Sequence, residues 1–437
     1  MAETGLLLVA LAAFGFAIFA RRLSRTILTA PIIFLALGGG LAMTGWFDRS
    51  VTGEALHVIA EIALVVLLFF DASKTDLNAL RKHHQWPQRM LLLGLPLAVL
   101  IGTLVAAIFL PAWPLAALAL VAALLAPTDA ALGQAIVNNS SVPGRVRRSV
   151  TIESGLNDGL ALPAILFFTS LTGGVVEGGE RNWLIFGAMQ LVLGPVIGVI
   201  IGFAGAKLMI LADEKRWTGE VFEGISALAV AAIAYLLANQ IGGNGFIAVF
   251  VAGLAFGNTA KGRFSFVFEF TDSEGQLLMW AAFAVLGLGL LPDAITALTM
   301  PTLGLILASL FIVRPVAIWL SLIGTDASWR TRLFFGWFGP RGLATALFAV
   351  LILPQIGGAY AESILAIAIN AVWISALLHG ASAAPLGSLY GRAMQRLSSL
   401  PEHSPPPPPF GSQEENDGIR GGDDADHTAV EQTPPNP

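Results

Sequence analysis

The sequence predicts an all-α polytopic membrane protein of about thirteen transmembrane helices, part of which forms an inverted repeat. Three observations predict it. Apolar runs of about 20 residues recur along the chain, each long enough to cross a hydrocarbon layer of about 30 Å. Residues are 55% hydrophobic and only 12% charged, against about a quarter charged in a soluble domain. The basic residues alternate between successive loops instead of spreading evenly.

The runs fall, in order, at 5–20, 27–46, 54–70, 88–110, 114–137, 150–171, 183–211, 221–239, 242–258, 276–291, 300–323, 332–353 and 362–381. The first follows Glu3 and precedes Arg21, Arg22 and Arg25. A signal peptide has its basic residues before the apolar run, so this one reads as a retained helix. The connections are short and leave no room for an inserted soluble domain. Twenty of the 24 basic residues lie in the loops after odd-numbered segments, at the adjoining helix ends, or in the C-terminal tail. The even loops hold only Arg49 and Arg181. Because basic loops stay on the cytoplasmic side, this places the N-terminus outside and the C-terminus in the cytoplasm.

The chain divides into two units: a transmembrane unit over 1–397 and a tail over 398–437. The tail carries five prolines at 405–409, eight acids and one base, Arg420. Such a composition buries too little apolar surface to fold and is expected to be disordered. It also accounts for the net charge of −5. With no cysteine and six scattered histidines, the chain offers neither disulfides nor a zinc cluster. No cofactor is expected, and no nucleic-acid partner.

A charge at mid-bilayer costs roughly 2.5–3.5 kcal/mol on insertion scales and more by other estimates, so it is a functional candidate by default. Four stand near mid-depth: Asp129, Glu153, Asp158 and Arg341. Segment 6 reads Glu153-Ser154-Gly155-Leu156-Asn157-Asp158. Its i,i+4 pairs put Glu153, Ser154, Asn157 and Asp158 on one helix face, which must meet protein, water or an ion. Segment 5 is interrupted at Ala126-Pro127-Thr128-Asp129, and segment 12 at Gly339-Pro340-Arg341-Gly342. Segments 4–6 and 11–13 are therefore matching triplets with a broken helix in the middle. They lie seven segments apart, so they run in opposite directions. Paired interrupted helices point to a transporter's binding site.

Glu153 and Arg341 are expected to form a buried ion pair. That leaves Asp129 and Asp158 to hold a proton or a cation, with Asp129 also placed to neutralise the positive end of a half-helix. Asp71 ends segment 3 as an interfacial acid. Glu61 can pair locally and Arg314, before Pro315, can snorkel; neither receives a role.

Together the three motifs, in order and each at mid-membrane, resemble the signatures of the cation:proton antiporter-1 family, the NhaP-type sodium/proton antiporters. The resemblance runs from about residue 5 to about residue 390. It implies the sodium/proton antiporter fold, with two broken, crossing helices, and a homodimer. It also implies a core bundle at about 88–171 and 300–381 that moves like an elevator against dimer helices at about 5–70 and 183–291. By motif match, Asp158 binds cation or proton. Ser154, the Thr128 carbonyl, Asp129 through water and Asp71 complete the Na+ site, while Glu153 pairs with Arg341. Asp71-Ala72-Ser73-Lys74 departs from the acid-then-glycine pattern of many relatives. Asn157 stands where electrogenic relatives carry a second aspartate, which implies electroneutral exchange.

The implied activity is antiport of Na+ or Li+ against H+ across the cell membrane, without enzymatic chemistry. K+/H+ exchange on the same scaffold is the nearest alternative. A Na+-coupled solute symporter is a more distant one, since few further intramembrane polar groups are present to line a substrate cavity.

Overall fold

The computed structural model describes residues 2–23, 26, 28–46, 49–83, 85–129, 132, 134–137, 139–173, 180–356, 360–396 and 401–403. Among these there are only helices and connections. The first half comprises α1 (Ala2–Leu23), α2 (Ala30–Thr44), α3 (Arg49–Ser73), α4 (Leu77–His83), α5 (Gln85–Arg89), α6 (Leu95–Phe109), α7 (Leu115–Leu124), α8 (Gln134–Val137) and α9 (Gly144–Gly173). The second comprises α10 (Glu180–Glu214), α11 (Glu220–Gln240), α12 (Gly245–Ala260), α13 (Ser265–Gly289), α14 (Leu291–Thr296), α15 (Met300–Ala308), α16 (Arg314–Ser321), α17 (Trp329–Trp337), α18 (Leu343–Ile356) and α19 (Ala361–Gln395).

Each of the thirteen expected segments coincides with a helix or a helix pair. Segments 5 and 12 are broken as their prolines and glycines require, into α7 with α8 and α17 with α18. Seven of the described spans are long and apolar enough to cross a membrane unaided. The 30-residue α9 is not among them. It is long enough, but its mid-helix polar residues lower its hydropathy.

Segments 4 and 11 carry a feature the sequence did not reveal. Each contains a π-turn, at Met90–Gly94 between α5 and α6, and at Ser309–Val313 between α15 and α16. Each π-turn runs straight into a residue that precedes proline, Leu95-Pro96 and Arg314-Pro315. Proline removes one N–H and displaces the carbonyl four residues back, and a π-turn absorbs the shift. The two triplets therefore match beyond their broken helices, as an inverted repeat should. The two π-turn helices also pack on each other, Gly94 lying against Ile318 and Ser321.

Close helix approach comes from small residues, as expected where lipid supplies no hydrophobic drive between helices. A Cβ at Gly38 or Gly287 would overlap the facing backbone where α2 crosses α13, and one at Gly253 or Gly257 would do so where α3 crosses α12. Large apolar side chains stay exposed along α1 (Leu11, Phe14, Ile18) and α10 (Val192, Phe203, Leu208). That pattern suits a surface that borders lipid rather than water.

At the end of the molecule where α9 and α17 begin and α19 finishes, polar contacts close the structure. Arg145 makes an ion pair with Asp326 at 2.7 Å and lies 3.8 Å over the Trp86 ring. Trp86 Nε1 also donates to Asp326 at 2.7 Å. Burial alone would raise the Asp326 carboxyl, but these donors hold it below its ordinary value.

Residues Pro401–His403, expected to belong to a disordered tail, form a 3-10 turn built into this face. The Arg145 guanidinium donates to Pro401 O at 3.0 Å. Glu402 is fully buried and accepts from Thr331 Oγ1 at 2.6 Å and from Ser328 N at 3.0 Å, at the start of α17. A carboxylate there satisfies the Ser328 N–H and suits the positive helix end. The rest of the tail, 404–437, lies outside the described residues.

Burial pushes the Glu402 carboxyl up, yet the Thr331 and Ser328 donors outweigh it and hold it below its ordinary value. A depressed folded pKa gives stability that is complete above the unfolded value, about 4.3, and fades as pH falls through the folded one. Glu402→Gln is therefore expected to melt below wild type near neutral pH, with the difference closing below about pH 4. Melting temperatures of the two proteins across pH check this, and a pH-independent difference would contradict it.

Candidate functional site

The site forms where the two broken helices meet α9. In the first break, Thr128 is buried and its hydroxyl faces α9. It lies 3.4 Å from Glu153 Oε2 and 3.4 Å from Ser154 Oγ, and it accepts from Asn157 Nδ2. Asn157 Nδ2 also donates to Glu153 Oε1 at 3.4 Å. Three residues of the predicted polar face of α9, Glu153, Ser154 and Asn157, thus meet the broken helix of the same triplet.

The two breaks are stapled to one another. Asp129 N donates to Pro340 O at 2.8 Å, and Leu343 N donates to Asp129 Oδ2 at 2.9 Å. Leu343 is the first residue of α18, so Asp129 caps the positive end of the opposite half-helix. In return, Arg341 Nη1 donates to Ala126 O at 2.6 Å and to Pro127 O at 3.0 Å, just past the end of α7. A guanidinium there answers the carbonyl end of a half-helix. Each break places a charge on the other's exposed helix pole. A Cβ on Gly342 would overlap the Asp129 carboxylate. Gly342→Ala is expected to break the Leu343–Asp129 bond and cost about 1–3 kcal/mol, the range for a buried group left unpaired. Thermal melting of the purified variant checks it; an unchanged melt would mean the carboxylate simply moves aside.

One expected pairing is corrected. Glu153 does not pair with Arg341. It forms a two-pronged bridge with Arg314, Nη1 to Oε1 at 3.1 Å and Nη2 to Oε2 at 3.1 Å. Both side chains are about 6% exposed. The reason lies in the π-turn that ends at Val313. One extra residue in a helix rotates the residues beyond it by about 100°, one residue's share of a 3.6-residue turn. Arg314, given no role from the sequence, faces the protein interior beyond that turn. Gly339 in the second break leaves the room, since a Cβ there would overlap the Arg314 guanidinium. Arg341 meanwhile has its own partners, the Ala126 and Pro127 carbonyls and Ser309 Oγ at 3.3 Å.

Asp158 lies one residue beyond Asn157 and is partly accessible. Its Oδ1 is buried with no hydrogen-bond partner among the described residues, as is Asn157 Oδ1. Asp129, Asp71 and Glu153 all lie within electrostatic reach of it. Asp71, at the end of α3, comes up against α9 one turn away: a Cβ on Gly155 would sit 3.6 Å from Asp71 O. The structure thus brings together Asp71, Thr128, Asp129, Glu153, Ser154, Asn157 and Asp158. Sequence reasoning missed Arg314, although a base inside an apolar run before proline was signal enough to include it. It also missed His379, an ionisable residue inside an apolar run, and Ser309 and Ser375, for which no signal existed.

Chemically, this is a cluster of acidic and neutral oxygens. A hard monovalent cation takes oxygen ligands, and a carboxylate takes a proton at the same atoms. The fold is similar to that of the sodium proton antiporter MjNhaP1 from Methanocaldococcus jannaschii at pH 8. The TM-score is 0.75 at 20% identity, over 90% of this chain and 98% of that one. Among curated proteins, the K(+)/H(+) antiporter NhaP2 of Shewanella sp. (strain MR-4) is 30% identical over 364 residues, 80% of this chain and 61% of its own. The K(+)/H(+) antiporter NhaP of Alkalimonas amylolytica is 27% identical over 336 residues, 76% of this chain and 57% of its own. The chain thus spans about three-fifths of the length of these relatives. The profile described as "Sodium/hydrogen exchanger, transmembrane" matches residues 7–388, and the chain belongs to that family of cation:proton antiporters.

Proposed function

We propose that this chain is a secondary transporter, not an enzyme, that exchanges Na+ or Li+ for H+ across the cell membrane and serves pH homeostasis. The observation that carries the reading is Asp158: a carboxylate oxygen buried without a partner, beside three further carboxyls. Like charges gathered away from water call for a proton or a cation. Asp158 takes one or the other. Ser154 and Thr128 offer further oxygens, Asp129 acts through water, and Asp71 stands at the approach. Competition for one carboxylate makes exchange obligatory once the site opens to each side in turn.

Asn157 spends its amide on Thr128 and Glu153 and adds no charge. That supports one-for-one, electroneutral exchange. The basic-loop asymmetry supports an outer N-terminus and a cytoplasmic C-terminus. In this reading the protein works as a homodimer, and a core bearing both broken helices moves like an elevator against a fixed scaffold.

A second reading, K+/H+ exchange, is favoured by the two curated relatives, both of which are named K(+)/H(+) antiporters. Proton flux in sealed proteoliposomes with an imposed pH gradient separates the two, with Na+, Li+ and K+ added in turn. Dissipation by Na+ and Li+ is the expected result. Dissipation by K+ alone transfers the reading to K+, and no response to any cation rejects both.

A further inference from the structure

We propose that His379 is a positioning residue for transport: it pins the second broken helix, so that Arg341 can hold the Ala126 and Pro127 carbonyls beside Thr128. The inference rests on the antiport reading for its consequence, but its geometry stands apart from it.

Ser375 and His379 are four residues apart on α19 and so share one face. Both are buried, at 0% and 1% exposure. Arg341 N, in the backbone of the break, donates to Ser375 Oγ at 2.8 Å. Ser375 Oγ in turn lies 3.1 Å from His379 Nδ1. On the other side of the ring, Nε2 lies 2.9 Å from Trp337 O, at the last residue of α17. The imidazole also stacks on the Trp337 ring, with centroids 5.0 Å apart and planes at 27°. A third link, Trp337 Nε1 to Ser382 Oγ at 3.0 Å, ties the same residue to α19. The break from Trp337 to Arg341 is therefore held at both ends by one short stretch of α19.

Proton inventory fixes the sense of the chain. A serine hydroxyl has one hydrogen, and a neutral imidazole has one N–H. Ser375 Oγ already accepts from Arg341 N, so its own hydrogen is free to go to Nδ1. Nδ1 then carries the lone pair, and Nε2–H donates to Trp337 O. This form makes two hydrogen bonds and leaves the Nδ1 lone pair 2.9 Å from one carbonyl, Ser375 O. The other tautomer would direct Nδ1–H to Ser375 O, 2.9 Å away. It would set the Nε2 lone pair against Trp337 O at the same 2.9 Å, and the ring would then make one hydrogen bond where the first form makes two. The geometry thus assigns the Nε2–H tautomer.

The pin matters to the site because Arg341 does two jobs. Its backbone N–H is fixed by Ser375, and its guanidinium holds Ala126 O and Pro127 O, immediately before Thr128. Two neighbouring residues, Pro340 and Leu343, hold Asp129. Movement of this break would displace Thr128 and Asp129 together.

Two measurements test the pin. The first is exchange in proteoliposomes by His379→Ala, His379→Gln and Ser375→Ala, with amounts of folded protein matched. The alanine variants are expected to raise the cation KM about tenfold, the weight of one buried hydrogen bond left unmade, with maximal rate less affected. Glutamine places an amide N–H where Nε2–H was, and is expected to recover most of the loss. If the alanine variants lose folded protein but keep the wild-type KM and pH profile, His379 is only structural and the proposal fails. It fails too if glutamine is no better than alanine.

The second measurement is the proton-detected 15N spectrum of the histidine-labelled full chain in nanodiscs, with His379→Gln to assign the resonance. A neutral ring protonated at Nε2, whose Nδ1 signal shifts in Ser375→Ala, is expected. Protonation at Nδ1, alone or with Nε2, overturns the pin. This arm needs no transport, so a wild type that moves none of the cations would reject the antiport reading while leaving the pin to be decided by the spectrum.

Discussion

Asp158→Asn is expected to abolish cation-dependent proton movement, reducing it to the background of protein-free liposomes, while the protein still folds. Asparagine has nearly the same size and shape as aspartate but neither titrates nor carries charge. Exchange by competition needs a group that is empty, protonated or cation-bound in turn, and asparagine supplies none of these states. Stability should not fall. Asp158 sits in the field of Asp129, Asp71 and Glu153, and removing one charge from a like-charged cluster relieves repulsion. The variant is thus expected to melt at or above the wild-type temperature. Flux and melting measured on the same preparation check both halves. Wild-type flux in the variant would reject Asp158 as the exchanging carboxylate, and a large drop in melting temperature would make lost flux uninformative.

Arg314→Ala should have the largest effect on stability. It removes both prongs of the bridge to Glu153 and the donor to Phe338 O at 3.3 Å. Removing one partner of a buried pair costs about 3–5 kcal/mol, because the remaining charge is left without compensation. Among the described residues, Glu153 then retains the long contacts to Thr128 and Asn157, each at 3.4 Å. Replacing both partners by apolar residues should recover much of the loss, since buried pairs are often no more stabilising than packed hydrocarbon. A double-mutant cycle on melting temperature separates the two arginines. Glu153 is expected to couple strongly to Arg314 and weakly to Arg341. Strong coupling to Arg341 instead would restore the pairing expected from sequence.

The arginine exchange shows where the sequence runs out. Glu153 and Arg314 lie 161 positions apart. Nothing in either segment tells which of two mid-membrane bases faces the acid, because the choice depends on helix rotation. Here the rotation is set by a π-turn, whose only trace in sequence is the proline just after it. The same holds for Asp129. Its place between half-helices allowed both a cation role and a capping role. The structure shows it capping α18 at Leu343, a bond to a residue of the other repeat. Glu402 was read with an acidic, proline-rich tail, and only its fit against Ser328 and Thr331 draws it out of that composition.

The number and order of the spans, the two broken helices, and the shared face of Glu153, Ser154, Asn157 and Asp158 are legible in the residue order alone. A bilayer imposes these residue by residue: each span must reach about 30 Å, and each polar group inside it must be answered. Such rules act locally and leave a local record. Which group answers which is settled by the packing of the helices. Arg314 for Glu153, Arg341 for the Ala126 and Pro127 carbonyls, Asp129 for α18 and His379 for Trp337 are matters of distance and direction between helices, fixed by packing and by one π-turn.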